Sequence, residues 1–157
     1  MEWIDVINDP SLRNLPYKIE LDEQGRIVMS PASNRHGIQQ GKLVRLLAQM
    51  LQAGELATEC SISTHLGVKV ADVVWISGEF LARYGDQTPY PQAPELCVEI
   101  RSPSNTDNEI EEKIRLYLGY GAQEVWVVSN EGVITLYGPE GKREHSMIPG
   151  VQAIHQL

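Results

Sequence analysis

Apolar and polar residues alternate in Tyr17-Lys18-Ile19-Glu20-Leu21, and a second β-prone run, Arg26-Ile27-Val28-Met29, follows Asp22-Glu23-Gln24-Gly25. Two such runs joined by a short turn containing Gly predict a hairpin, ended by Ser30-Pro31-Ala32. Leu43, Val44, Leu47, Met50 and Leu51 recur at helical spacing. They predict an amphipathic helix over 36–52, capped by Ser33 or Asn34 and stopped near Gly54. Leu56–Ser63 and Val68–Ile76 read as strands, the second rich in Val and Ile. Residues 77–94 read as a loop with a short helix. Leu96-Cys97-Val98-Glu99-Ile100 is nearly continuous in apolar character and reads as a central, buried strand. Thr106-Asp107-Asn108-Glu109 forms a capping box, and the helix behind it carries Ile110, Ile114, Tyr117 and Leu118 on one face. Glu124–Val128 is a further buried strand, turned by Asn130-Glu131-Gly132 into Val133–Tyr137. Residues 1–16 are an irregular or partly helical lead-in, and the tail from Met147 is expected to add an edge strand.

The strand–helix–strand unit across 96–128 should cross over right-handed and place its strands parallel, whereas the earlier strands should be antiparallel. The expected fold is therefore α/β (mixed α+β): a central mixed sheet flanked by helices, with an N-terminal β-hairpin. The 157 residues are expected to form one domain over 1–157, long enough to bury about two-thirds of the surface of the unfolded chain.

Composition narrows the class. With 42% hydrophobic and 22% charged residues the chain reads as an ordinary soluble globular protein. Its apolar stretches fall far short of the ~20 residues a bilayer demands. No basic flank followed by an apolar core opens the chain. Cys60 and Cys97 lie far apart without a Cys-x-x-Cys partner, which excludes a disulfide framework or a sequence-visible zinc cage. A cytoplasmic location without membrane association is expected. The formal charge of −8 argues against tight, unspecific binding to a polyphosphate. Carboxylates that hold a divalent cation, however, count as negative until the ion binds.

Three charges break local rules. Asp72 lies in an apolar strand and, if that strand is uninterrupted, shares a face with Val68, Val70, Val74 and Ile76. Alternatively, Ala71-Asp72 is a turn or bulge with the carboxylate in water. Glu99 lies in an apolar run with no turn former, and a buried carboxylate must be paired or hold a metal. Its alternative is a structural ion pair to Arg101 or Arg115. Lys113 falls beside Tyr117 and Ile110 on the flank of its helix, where a snorkelling lysine would also fit. If the strands of Asp72 and Glu99 pair antiparallel, both acids reach one edge of the sheet. The first turns of the next helix lie near that edge, within reach of the Lys113 stem. Two carboxylates and one ammonium make a Mg²⁺ site with a charge-stabilising lysine.

This constellation resembles the PD-(D/E)XK restriction-endonuclease-like superfamily, and more finely its large bacterial Uma-type (Uma-two) branch of restriction endonucleases. The matching stretches are Ile19-Glu20 with Gly25-Arg26-Ile27, Met29-Ser30-Pro31 with His36, Ala71-Asp72-Val73, Pro94 to Ser104, Lys113 with Tyr117, and Gly121 to Trp126. They span about residues 17–137, and the Val-Glu-Ile-x-Ser-Pro-Ser element followed by Lys-x3-Tyr is the most specific of them. The resemblance implies a Mg²⁺-dependent hydrolase (Mn²⁺ as a substitute) acting on DNA phosphodiesters. It implies Asp72, Glu99 and Ile100 as metal ligands and Asp72, Glu99 and Lys113 as catalytic residues, with Glu20, His36 and Arg101 auxiliary. Two positions depart from the pattern. Ala71 replaces the proline usual before the aspartate, and Arg101 stands where the E-x-K spacing would place the lysine. Arginine stays charged and cannot shuttle a proton, so Lys113 is expected to carry the catalytic charge. Arg35, Lys42, Arg45, Lys69 and Arg101 are available for phosphate contact. A homodimer is expected, because paired sites cut duplex DNA more readily. Two other readings stay open: a nuclease-fold protein that binds DNA or a partner without cutting, and a structural ion-pair cluster in a protein of unrelated role.

Overall fold

The computed structural model describes residues 1–152 and 154–157. The local signals act largely where the pattern places them. Strand β1 (Tyr17–Leu21) pairs antiparallel with β2 (Ile27–Pro31) in a two-stranded sheet. It is preceded by a short helix α1 (Trp3–Asn8) and a 3-10 turn over Pro10–Leu12. Helix α2 (Asn34–Met50) starts where the Ser33 hydroxyl accepts from the His36 amide, which fixes His36 in the first turn. Long strands β3 (Glu55–Thr64) and β4 (Gly67–Ile76) form a hairpin, followed by a short helix α3 (Gly78–Tyr84). Then come β5 (Leu96–Ile100), α4 (Asp107–Gly119) with its Thr106–Glu109 capping box, β6 (Glu124–Val128), β7 (Ile134–Gly138) and β8 (Gly141–Arg143).

The main sheet has six strands in the order β3-β4-β5-β6-β7-β8, with only β5 and β6 parallel. This is the expected mixed sheet flanked by helices. The far edge differs: β8 closes it, and among the described residues the tail contributes one isolated bridge, Val133 to Gln156, instead of a strand. Three residues, one glycine and two bases, carry no alternating apolar signal, so β8 is invisible in the sequence.

Two cores lie on opposite faces. Cys97 and Val125 pack with Ile110, Ile114 and Tyr117 of α4, while Val98, Ile100, Trp126 and Leu136 pack with Leu43 and Leu47 of α2. The apolar run of β5 is buried at all five positions because each face meets a different helix. A third, smaller cluster joins Val6 and Leu21 to Val68 and holds the N-terminal hairpin onto β4. There Gly67 adopts φ +94, and a Cβ would overlap the Leu21 carbonyl, so glycine permits the close approach of β1 to β4.

The expectation that Asp72 shares a face with Val68, Val70, Val74 and Ile76 is corrected. Val74 and Ile76 pack in the α4-side core, but so does Ala71, while Val68 joins the hairpin cluster. The alternation therefore changes sides at Asp72. Its cross-strand neighbour Glu59 changes β3 in step, with φ +54, while Thr58–Val73 and Cys60–Ala71 on either side keep one register. Asp72 lies mid-strand, one residue before β4 begins to pair with β5 at Val73–Val98. Neither turn nor solvent receives it.

Candidate active site

The opening between β4 and β5 gathers charges from five elements. Asp72 is 0% exposed and Glu99 2%, the two facing each other where the ladder stops. Asp72 Oδ2 accepts the main-chain N–H of Ile100 at 2.7 Å, and Oδ1 faces Lys18 Nζ at 3.1 Å and His36 Nε2 at 3.2 Å. Glu99 Oε1 accepts from the Tyr117 hydroxyl at 2.6 Å. Its Oε2 lies 3.1 Å from Lys18 Nζ and 3.4 Å from Lys113 Nζ. Lys113 completes the ring at 2.7 Å from Glu20 Oε1, the same oxygen that accepts the Val70 amide at 2.7 Å and clips β1 to β4. Gln40 braces the kink: its side-chain amide donates to the Asp72 carbonyl at 2.8 Å and to Glu59 at 2.9 Å.

Each placement has a local cause. The box at Thr106 sets the start of α4, so Lys113 and Tyr117, four residues apart, present one edge of the helix to β5. The Ser33 cap does the same for His36 on α2. Period-two alternation puts Lys18 and Glu20 on one face of β1.

Burial and charge compete at every group. Burial pushes the Asp72 carboxyl up, but Lys18, His36 and the Ile100 amide outweigh it and hold the group well below the usual aspartate range. Glu20 is likewise pushed up by burial and pulled below its ordinary value by Lys113 and Lys18. Glu99 goes the other way: burial raises it by more than Lys113 and Lys18 offset. Burial pulls Lys18 down, yet Glu99, Asp72 and Glu20 together raise it well above an ordinary lysine. The hydrogen bond to Asp72 raises His36 against the opposing effect of burial. Burial, then Glu99, raises the Tyr117 hydroxyl, which therefore stays a donor.

A cavity of 460 Å³ opens from this cluster. Lys18, Glu20, His36, Glu99 and Lys113 line it beside Ile100, and Leu15, Pro16, Tyr17 and Val28 of the hairpin segment form an apolar wall. Lys69 also lines it.

The structure thus brings together Asp72, Glu99, Ile100, Lys113, Glu20 and His36. Arg101 stays apart: it pairs with Asp107 at 2.5 Å and donates to the Asn105 carbonyl. The expected alternative partners of Glu99, Arg101 and Arg115, are replaced by Lys18 and Lys113. Sequence reading missed Lys18 and Gln40. The alternation of β1 placed Lys18 beside Glu20, but only tertiary packing shows that this face meets β4. Among the described residues, no three His, Cys, Asp or Glu side chains stand close enough to hold an ion by themselves. The donors that remain are two carboxylates and the Ile100 main chain. In extended backbone a residue's N–H and C=O point to the same side, so the Ile100 carbonyl heads the way its amide does, toward Asp72. Carboxylate and carbonyl oxygens suit a hard divalent cation.

A mixed six-stranded sheet flanked by helices, with Asp72 and Glu99 on adjacent central strands and Lys113 on the next helix, is the restriction-endonuclease-like arrangement expected from the sequence. Among solved structures the chain is similar to one from Anabaena variabilis ATCC 29413 described as "a putative nuclease belonging to DUF820". The TM-score is 0.65 at 18% identity, over 83% of this chain and 80% of that one, a likeness of fold. A comparison with curated proteins found no match. The family model described as "Putative restriction endonuclease" matches residues 9–154, and the chain belongs to that family, Uma2. Among the described residues no helix is long and apolar enough to cross a membrane.

Proposed function

We propose that this protein is a Mg²⁺-dependent endonuclease that hydrolyses phosphodiester bonds of DNA, with Mn²⁺ able to substitute. The observation that carries the reading is the buried pair Asp72 and Glu99 on adjacent strands, Glu99 lining an open cavity and Asp72 directly behind it, held by the Ile100 main-chain N–H. Asp72, Glu99 and Ile100 would hold the ion. When bound, it would lower the pKa of a water and neutralise charge building on the phosphoryl oxygens.

The rest falls to the chain's own residues. Tyr117 and the Ile100 amide fix the orientation of the two carboxylates, so ligand oxygens do not have to be ordered on binding. His36 steadies Asp72 from α2. Lys113, held by Glu20, presents its ammonium to the cavity, where it stabilises negative charge as the phosphorus becomes five-coordinate. The apolar wall of Leu15, Tyr17 and Val28 excludes water from one side and strengthens that field. Duplex cleavage by a single domain of this size calls for two copies, one per strand, hence a homodimer.

The test is isothermal titration of Mg²⁺ and Mn²⁺ into the wild type and into the Asp72→Asn, Glu99→Gln double variant, followed by cleavage of plasmid DNA with the ion that binds. Binding by the wild type alone, followed by metal-dependent nicking, is expected. Circular dichroism of the double variant guards against simple unfolding. Absence of metal binding and of cleavage by the folded wild type, with DNA present, would replace this reading by that of a non-cutting DNA- or partner-binding protein.

A further inference from the structure

Lys18 occupies a position that neither orients a ligand nor contacts a single partner. Its ammonium lies 3.1 Å from one oxygen of each acid, Asp72 Oδ1 and Glu99 Oε2. We propose that Lys18 is a resident counter-ion that a divalent cation must displace, and that the released side chain then turns into the cavity to face the substrate phosphate. The inference rests on the metal-dependent reading above.

Geometry and charge support it. Mg²⁺ binds oxygens at about 2.0–2.1 Å, so an ion on those same two oxygens lies within about 5 Å of Nζ wherever it sits around them. It carries twice the charge of the ammonium, and at that separation the repulsion in a poorly solvated floor is severe. The cluster holds three carboxylates, Glu20, Asp72 and Glu99, against two ammonium groups, Lys18 and Lys113. With His36 neutral its formal charge is −1. A dication added to all five groups makes it +1, whereas loss of Lys18 from the cluster makes it 0.

The two lysines are not equivalent. Lys113 is anchored 2.7 Å from Glu20, which is no proposed ligand, and touches Glu99 only at 3.4 Å. Lys18 contacts both proposed ligands, so binding removes both of its anchors at once. It springs from β1 of the two-stranded sheet and lines the 460 Å³ cavity, so its flexible stem has open space to enter. The exchange makes phosphate affinity at this position conditional on the ion: before binding the Lys18 charge is spent on carboxylates, and afterwards it is available to an anion.

The experiment is titration of Mn²⁺ alone into the wild type, Lys18→Gln and Lys69→Gln, in chelator-treated protein. Lys69 lines the same cavity but makes neither contact, so it reports the general field of a nearby positive charge. We expect Mn²⁺ affinity to rise on the order of a hundredfold in Lys18→Gln, about 2.8 kcal/mol at 1.4 kcal/mol per decade. Lys69→Gln should change it by no more than a fewfold. Should Lys18→Gln fail to fold, Mg²⁺ titration of the wild type with NMR detection of the lysine ammonium groups replaces it. The Lys18 signal should lose its protection from exchange while that of Lys113 keeps it. Equal affinity in wild type and Lys18→Gln, or equal gains in both variants, or a Lys18 signal unmoved at saturation, overturns the proposal and leaves metal dependence standing. No Mn²⁺ binding by any of the three proteins overturns the metal-dependent function itself, and this inference with it.

Discussion

Deleting one oxygen, by Tyr117→Phe, tests whether the buried acid is held ready by α4. The Tyr117 ring is wholly buried and its hydroxyl gives Glu99 Oε1 a 2.6 Å hydrogen bond, while both lysines engage the other carboxylate oxygen. Phenylalanine fills the same space, so the change isolates that bond. Hydrogen bonds to charged groups contribute about 1.5–3 kcal/mol. For a chain of about this length each kcal/mol moves Tm by about 2–4 °C, which gives a fall of about 3–12 °C. Tyr90→Phe is the control. It removes a 2.7 Å bond to the neutral Gly85 carbonyl, for which about 0.5–1.5 kcal/mol is expected. Because Tyr117 orients a proposed ligand, Mn²⁺ affinity should also drop about 10–100-fold in Tyr117→Phe and stay unchanged in Tyr90→Phe. Thermal unfolding and isothermal titration on the same samples give both numbers. A Tyr117→Phe protein with wild-type Tm and wild-type Mn²⁺ affinity would refute the claim that this hydroxyl holds Glu99.

Lys113→Ala should lower metal-dependent cleavage by about a hundredfold or more, the scale for removing one donor to transition-state charge. Arg101→Ala should retain it, because Arg101 is engaged by Asp107 outside the cavity floor; the reverse outcome in a plasmid-nicking assay would reassign the catalytic charge. Burial pushes the Cys60 thiol up to about 12 and raises Cys97 as well. The raised value leaves no appreciable thiolate at pH 8, so the folded protein should be inert to a disulfide reagent at that pH and titrate two thiols after unfolding. A reactive thiol in the folded state would contradict the packing of the α4-side core.

What was legible in the sequence is what short stretches encode. The turn at Asp22–Gly25, the Thr106–Glu109 box and the apolar run of β5 each specify their element with no help from elsewhere. Asp72, Glu99 and Lys113 were legible because they violate local patterns. Lys18 was not, since a lysine in an alternating strand obeys the pattern; it becomes unusual only when Val6, Leu21 and Val68 bring the hairpin against β4. His36 carried a weak signal, a histidine in a first helical turn, and its meaning comes from the 3.2 Å approach to Asp72. The change of sides at Asp72 was hidden because the ladder skips one pair there and resumes in the same register on both sides.

That paired change of sides makes residue counting in the β3–β4 hairpin a constraint of its own. Glu59 and Asp72 are the unpaired positions between Thr58–Val73 and Cys60–Ala71, and the strands exchange faces there together. A one-residue deletion in either arm would break the match and rotate one strand against its neighbour by half a repeat. A deletion in β4 would turn the carboxylate away from Lys18 and the Ile100 amide toward the apolar side chains Leu43, Leu47 and Val73, as an uncompensated charge in a dry interior. The arms should therefore tolerate substitutions at many positions but almost no change in length. The same hairpin would accept extra residues only at its His65–Leu66 tip, beyond the last paired residues Thr64 and Gly67.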